Sequence, residues 1–187
     1  MKLQYPEITG ENYMRFLLYN IRYAAGIGRH FHLPVPYSGY FKHTNGNLKK
    51  IVDFIKLVNP DITGLIEVDS GSISQKFYYF REGVKRLVIE LELADLSVFL
   101  VHLSLKFRHR QYQLQDLYTM TNSVKKPVIV AGNFNAFKGE RELELFLAAT
   151  GLKNANSNGQ PSHPSRAPRR QLDYIFHSPQ IQITDFQ

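Results

Sequence analysis

At 187 residues, with 43% apolar and 13% aromatic content, the chain is long enough for one domain with a substantial core and short for two. Zero cysteines exclude disulfides and thiolate metal sites, so a hard cation such as Mg2+ or Mn2+, held by oxygen or imidazole ligands, fits better than structural zinc. The formal charge of +7 favours an anionic partner, a nucleic acid or a smaller phosphate ester, although lysines and arginines in short clusters also describe an ordinary solvated surface.

The N-terminal MKLQYPEITGENYMR lacks the apolar stretch of a signal peptide, and no run approaches the length of a membrane span, so the expectation is a soluble cytoplasmic protein. The first apolar run, FLLYN, reads as a buried strand ending on Asn20. Asn47 can cap a helix whose Leu48, Ile51, Val52 and Ile55 share a face and which stops before Asn59 and Pro60. ITGLIE is a second strand ending on Glu67. Gly83 to Leu93 and Ser97 to His102 are two β-rich runs separated by Ala94, Asp95 and Leu96, which suits a hairpin and argues for a mixed sheet.

A helix is expected from about Arg110 to Ser123, with Leu114, Leu117, Tyr118 and Thr121 at helical spacing. VIVAGNFN then forms a strand running into Asn133 and Asn135. A third helix is expected from Glu140 to Thr150, with Leu143, Phe146 and Leu147 inward and Gly151 as its stop. The stretch from Gly151 to Arg170, rich in Asn, Ser, Pro and Arg, reads as a surface loop bordering the site, and Asp173 opens a last strand, DYIF. Five strand edges therefore carry Asn20, Glu67, His102, Asn133 with Asn135, and Asp173. Taken singly, the asparagines could cap turns, the acids could face solvent, and the histidine could be a satisfied core residue. Repeated at five strand edges, the same placement points to one cluster of amide, carboxylate and imidazole groups.

These motifs, LLYNIR, DITGLIEVD, FLVHLSLKFRHRQYQL, PVIVAGNFNAF and RQLDYIFHS, span residues 16 to 178 in order, and together they resemble the endonuclease/exonuclease/phosphatase superfamily with its DNase I-like fold. The resemblance implies a four-layer α/β sandwich of two mixed β-sheets flanked by helices, formed by residues 1–187 as a single domain. It implies a divalent metal, Mg2+ or Mn2+, bound by Glu67 with support from Asn20. His102 and Asn135 would contact the scissile phosphate, and Asp173 would position metal or partner a further histidine. Hydrolysis of a phosphate ester needs a water, a cation and donors that add no negative charge, and this inventory meets those needs.

Three departures stand out. The family reads GDFN where this chain reads GNFN, so Asn133 replaces the carboxylate that orients or deprotonates water. The family's C-terminal SDH histidine has no counterpart after Asp173, and His177 is in the wrong place to serve. Between Glu67 and Gly83 there is little room for the family's further strand and helix, which marks either a compact variant or segments absent from the sequence. The expectation is a phosphodiesterase, endonuclease or phosphatase with impaired catalysis. The alternative is a noncatalytic phosphate- or nucleic-acid-binding module on the same fold.

Overall fold

Residues 13–20, 45–66, 76–81, 86–164 and 167–187 are described by the computed structural model. The chain divides into two compact units, Met1–Ser72 and Ile73–Gln187. In the first, strand β1 (Phe16–Asn20) and strand β2 (Ile62–Ile66) pair in parallel, from Phe16 opposite Ile62 to Asn20 opposite Ile66. Parallel pairing demands a long crossover, and helix α1 (Asn45–Val58) lies within it. The helix ends where expected, because Asn59 adopts the left-handed φ of 48° and donates its N–H to the Ile55 carbonyl at 2.9 Å, with Pro60 next. Its buried stripe is narrower than the sequence suggests. Ile51 and Val58 are buried, two turns apart, whereas Val52 is 39% exposed. Tyr19 of β1 meets Phe54 of α1 edge to face at 5.2 Å, and the Arg15 side chain donates to the Val58 carbonyl.

The second unit is a six-stranded mixed sheet in the order β3-β4-β5-β6-β8-β7. Strands β3 (Lys76–Tyr79), β4 (Leu87–Glu92) and β5 (Ser97–His102) form an antiparallel meander. The expected hairpin is thus β4 and β5, and the interval after Glu67, read as too short for a further strand, does supply β3. Helix α2 (Phe107–Asn122) crosses over to β6 (Val128–Asn133), which pairs in parallel with β5. Strand β8 (Asp173–His177) runs antiparallel to β6, and the two-residue β7 (Lys153–Asn154) covers its outer edge. Alternate residues Val88, Phe99, Val101, Val130, Tyr174 and Phe176 send one face of the sheet into a core with Leu114 and Leu117 of α2 and with Leu143 and Phe146. Phe134 closes that core, its ring edge-on to Tyr174 at 5.7 Å and to Phe176 at 5.0 Å. His177, 6% exposed, is a core histidine bonded through Nδ1 to the Ser178 carbonyl at 3.0 Å.

Helix α1 starts at Asn45, so Asn47 lies within its first turn and is not its cap. In the second unit two helix boundaries differ from expectation, and one ion pair accounts for both. Arg110, 2% exposed, donates to the Ser104 and Leu105 carbonyls at 2.9 and 2.8 Å and to the Glu142 carboxylate. This grip draws the first turn of α2 back to Phe107, although Lys106 offers no side-chain cap. Glu142 turns inward to meet Arg110 and also accepts the Lys138 N–H at 2.7 Å. The expected helix from Glu140 to Thr150 is therefore split into a 3-10 turn over Gly139–Glu142 and helix α3 (Glu144–Thr150). Gly151 stops α3 as anticipated, at φ 68° with its N–H on the Leu147 carbonyl at 2.8 Å.

Gly132 of β6 lies directly against the backbone of Val101 in β5. At its φ of +149°, a Cβ would lie 1.9 Å from the Val101 carbonyl oxygen, a backbone atom that cannot step aside. Gly132→Ala should lower stability by about 3 kcal/mol, seen as a fall of roughly 10 °C in Tm by circular dichroism. An unchanged Tm would show that the two strands can separate without cost.

Candidate functional site

Strands β5 and β6 end, and β8 begins, at the same edge of the large sheet. Register aligns His102 opposite Asn133 and Asn133 opposite Asp173. Residues paired across a ladder share a face, so an imidazole, an amide and a carboxyl form one row. The neighbouring row, Val101, Gly132 and Tyr174, belongs to the opposite face, the one that packs on the helices.

Beyond β6 the chain folds into a turn built by the asparagine side chains. Asn133 Oδ1 accepts the backbone N–H of Asn135 at 2.9 Å, which closes an Asx turn. Asn135 then sits at a φ of 50°, a left-handed conformation that asparagine tolerates better than most residues. Only 5% exposed, it donates Nδ2–H to the Leu103 carbonyl at 2.8 Å, while Leu103 donates its own N–H to the Asn133 carbonyl at 2.9 Å. Asn135 is thereby fixed to the residue that follows His102. Gln113, fully buried, accepts the Ser104 N–H at 2.8 Å and secures the next link of the same loop.

His102 is half-buried, and its Nδ1 lies 3.4 Å from Nη1 of Arg86. A guanidinium only donates, so Nδ1 is the acceptor and Nε2 carries the proton. Burial, reinforced by the Arg86 charge, pushes the imidazole pKa down to about 4. At neutral pH His102 is an uncharged ring with one N–H to offer. Asp173 responds to burial in the opposite sense: its carboxyl is pushed above the usual range, with a Ser162 hydrogen bond and the His163 charge partly offsetting the rise. Its Oδ1 is buried and has no hydrogen-bond partner among the described residues, so it has room to accept from a proton donor or a cation. Ser162 Oγ accepts the N–H groups of Leu172 and Asp173, both at 3.1 Å, so the Asn- and Pro-rich loop does border the site.

His102, Asn133, Asn135 and Asp173 are thus brought to one edge. Asn20 closes β1 in the other unit, half-buried and paired with Ile66. Glu67, next after Ile66, lies outside the described residues. Among the described residues no group of three His, Cys, Asp or Glu side chains is placed to hold a metal ion. The sequence did not single out Arg86, whose neighbourhood reads as plain strand, nor Arg110, Gln113 and Glu142, whose partners are remote in the chain. Ser162 and His163 fell within the loop expected to border the site, and no pattern distinguished them there.

The model of the Endonuclease/Exonuclease/phosphatase family matches residues 17–187. The chain belongs to that family. Its fold is similar to the human Nocturnin catalytic domain, solved with a sulfate anion, at TM-score 0.56 and 18% identity over 89% of this chain and 83% of that one. A humanised TDP2 of D. rerio matches at TM-score 0.54 and 12% identity, covering 91% and 86% of the two chains. D. rerio TDP2 complexed with single-strand DNA product matches at 0.52 and 14% over 69% and 75%. No curated protein matches the chain. Members of the family are hydrolases of phosphate esters, and the α/β fold with its large mixed sheet is the DNase I-like one. Among the described residues no helix is long and apolar enough to cross a membrane.

The His102 environment gives a direct expectation. By NMR, its ring protons should titrate near pH 4, and Arg86→Met should raise that value while burial keeps it below 6.5. Because the unfolded ring binds a proton at about 6.5 and the folded one does not until about pH 4, this histidine makes stability fall as pH drops through that window. A midpoint near 6.5 in the native protein would show that His102 is open to water.

Proposed function

We propose that residues 1–187 act as a single domain descended from divalent-metal-dependent phosphoesterases, with turnover weakened at Asn133. The observation that carries this reading is the row of His102, Asn133 and Asp173 at one sheet edge, with Asn135 locked beside it. The neutral His102 Nε2–H is suited to a nonbridging phosphate oxygen, and the Asn135 amide has a second N–H for the same use. Neither adds negative charge.

Glu67 and Asn20 would hold the metal, Mg2+ or Mn2+, and a hard carboxylate with an amide oxygen suits such a cation. The ion would neutralise charge that builds on the phosphate oxygens during in-line attack by water. Asp173, with its unpartnered Oδ1, would orient the groups around it. Asn133 stands where water activation belongs, yet an amide takes no proton at neutral pH, and its Oδ1 is already given to the Asn135 N–H. That use of Asn133 favours a second reading, a phosphate- or nucleic-acid-binding module that kept the fold without the chemistry. The single-strand DNA product bound by TDP2 makes nucleic acid one ester to try in both readings.

Asn133→Asp separates them. A carboxylate oxygen can accept the Asn135 N–H as the amide does, leaving the other oxygen for water, so the turn should survive. With Mg2+ and bis(p-nitrophenyl) phosphate, the variant should exceed the native chain by roughly 10²- to 10⁴-fold in kcat/KM. If neither protein turns over ester nor binds Mg2+ by calorimetry, the hydrolytic reading fails. Salt-sensitive binding of DNA or RNA by both would then support the binding module.

A further inference from the structure

Two loops leaving the site edge carry large apolar side chains in water. Leu105, in the loop that follows His102, is 62% exposed, Phe107 at the start of α2 is 54% exposed, and Phe137, two residues after Asn135, is 40% exposed. Cations interleave with them in sequence: Lys106 and Arg108 on either side of Phe107, and Lys138 next to Phe137. The loops are in contact, since the Lys138 ammonium lies 5.8 Å from the Phe107 ring centroid, and the Arg110 guanidinium is also 5.8 Å from it. Their backbones are not free to fold the apolar groups inward. The Arg110 bonds to Ser104 and Leu105 fix one loop, and the Glu142 bond to the Lys138 N–H fixes the other.

We propose that this patch docks the protein on an anionic phospholipid surface. Leu105, Phe107 and Phe137 enter the boundary between headgroups and acyl chains, and Lys106, Arg108 and Lys138 lie against the lipid phosphates. Aromatic groups beside cations also describe a single-stranded nucleic-acid surface, but that mode needs open ring faces on which bases stack. The most exposed group here, Leu105, is aliphatic and has no such face. The Phe107 ring has two cations near it, and the Arg108 guanidinium lies 5.9 Å from the Tyr112 ring centroid. Apolar tips alternating with cations match the layered chemistry of a bilayer interface more closely than that of a base-stacking platform. Docking would bring the loops beside His102 and Asn135 to the depth of the lipid phosphates. Such docking does not depend on turnover.

Flotation with phosphatidylcholine vesicles, with and without phosphatidylglycerol, tests it on the native chain. The protein should float only with the anionic vesicles and should be released by salt. Leu105→Ser with Phe107→Ser should lower partitioning about tenfold or more, and Lys138→Glu alone by about fivefold or more. Both variants would be checked for native circular dichroism, and the charge reversal decides the matter if the double variant unfolds. Failure of the native chain to float, or flotation unchanged by Lys138→Glu, overturns the proposal. A single-stranded oligonucleotide bound by the native chain and lost in these variants, without flotation, identifies the patch as a nucleic-acid surface instead. Because vesicle binding is read without substrate, either negative result leaves the Asn133→Asp assay to stand or fall separately.

Discussion

The ion pair between Arg110 and Glu142 sets the geometry from which the rest of the site edge follows. Both side chains are almost fully buried, and every bond they make ends on one of two loops, the one after β5 and the one after β6. Buried charges are tolerated only when paired and hydrogen-bonded, and removing one partner of such a pair typically costs about 3–5 kcal/mol. The pair therefore acts as a spacer more than as a source of net stability. It fixes where the chain must go after His102 and after Asn135, and it decides where α2 starts and why the third helix is broken. Gln113 and Asn135 complete the arrangement by holding Ser104 and Leu103 from either side.

Within this frame, the same burial acts oppositely on two titratable groups. Desolvation disfavours whichever form is charged, so it keeps the His102 imidazole neutral and resists ionisation of the Asp173 carboxyl. Arg86 adds to the first effect, whereas Ser162 and His163 soften the second. The edge thus combines a neutral donor with a carboxyl that is only partly satisfied. An amide at position 133 adds no third titrating group, and its oxygen is spent on local architecture.

What was legible in the sequence was the set of strand edges. Runs such as VFLVH and VIVAGN announce buried strands because β-branched and aromatic residues fit a pleated surface, and the polar residue that ends each run marks where burial stops. His102, Asn133 and Asp173 stand out that way, and the strand register sets them in one row. The interactions that tune the edge were not legible, because they join residues far apart in the chain. Arg110 and Glu142 are 32 positions apart, and Arg86 and His102 are 16 apart. No local periodicity encodes such pairs. The starts of α2 and α3 are hidden for the same reason, since neither has a side-chain cap and a remote partner sets each boundary. Strand β3 is illegible because four residues give too short a pattern to recognise.

The alignment of His102, Asn133 and Asp173 has an evolutionary corollary. Side chains alternate along a strand with a period of two, so inserting or deleting one residue within β6 would turn Asn133 toward the helices and a core residue toward the edge. Relatives of this chain are therefore free to vary in the length of the connections between strands, but their strand lengths should change only in even steps or with a compensating bulge.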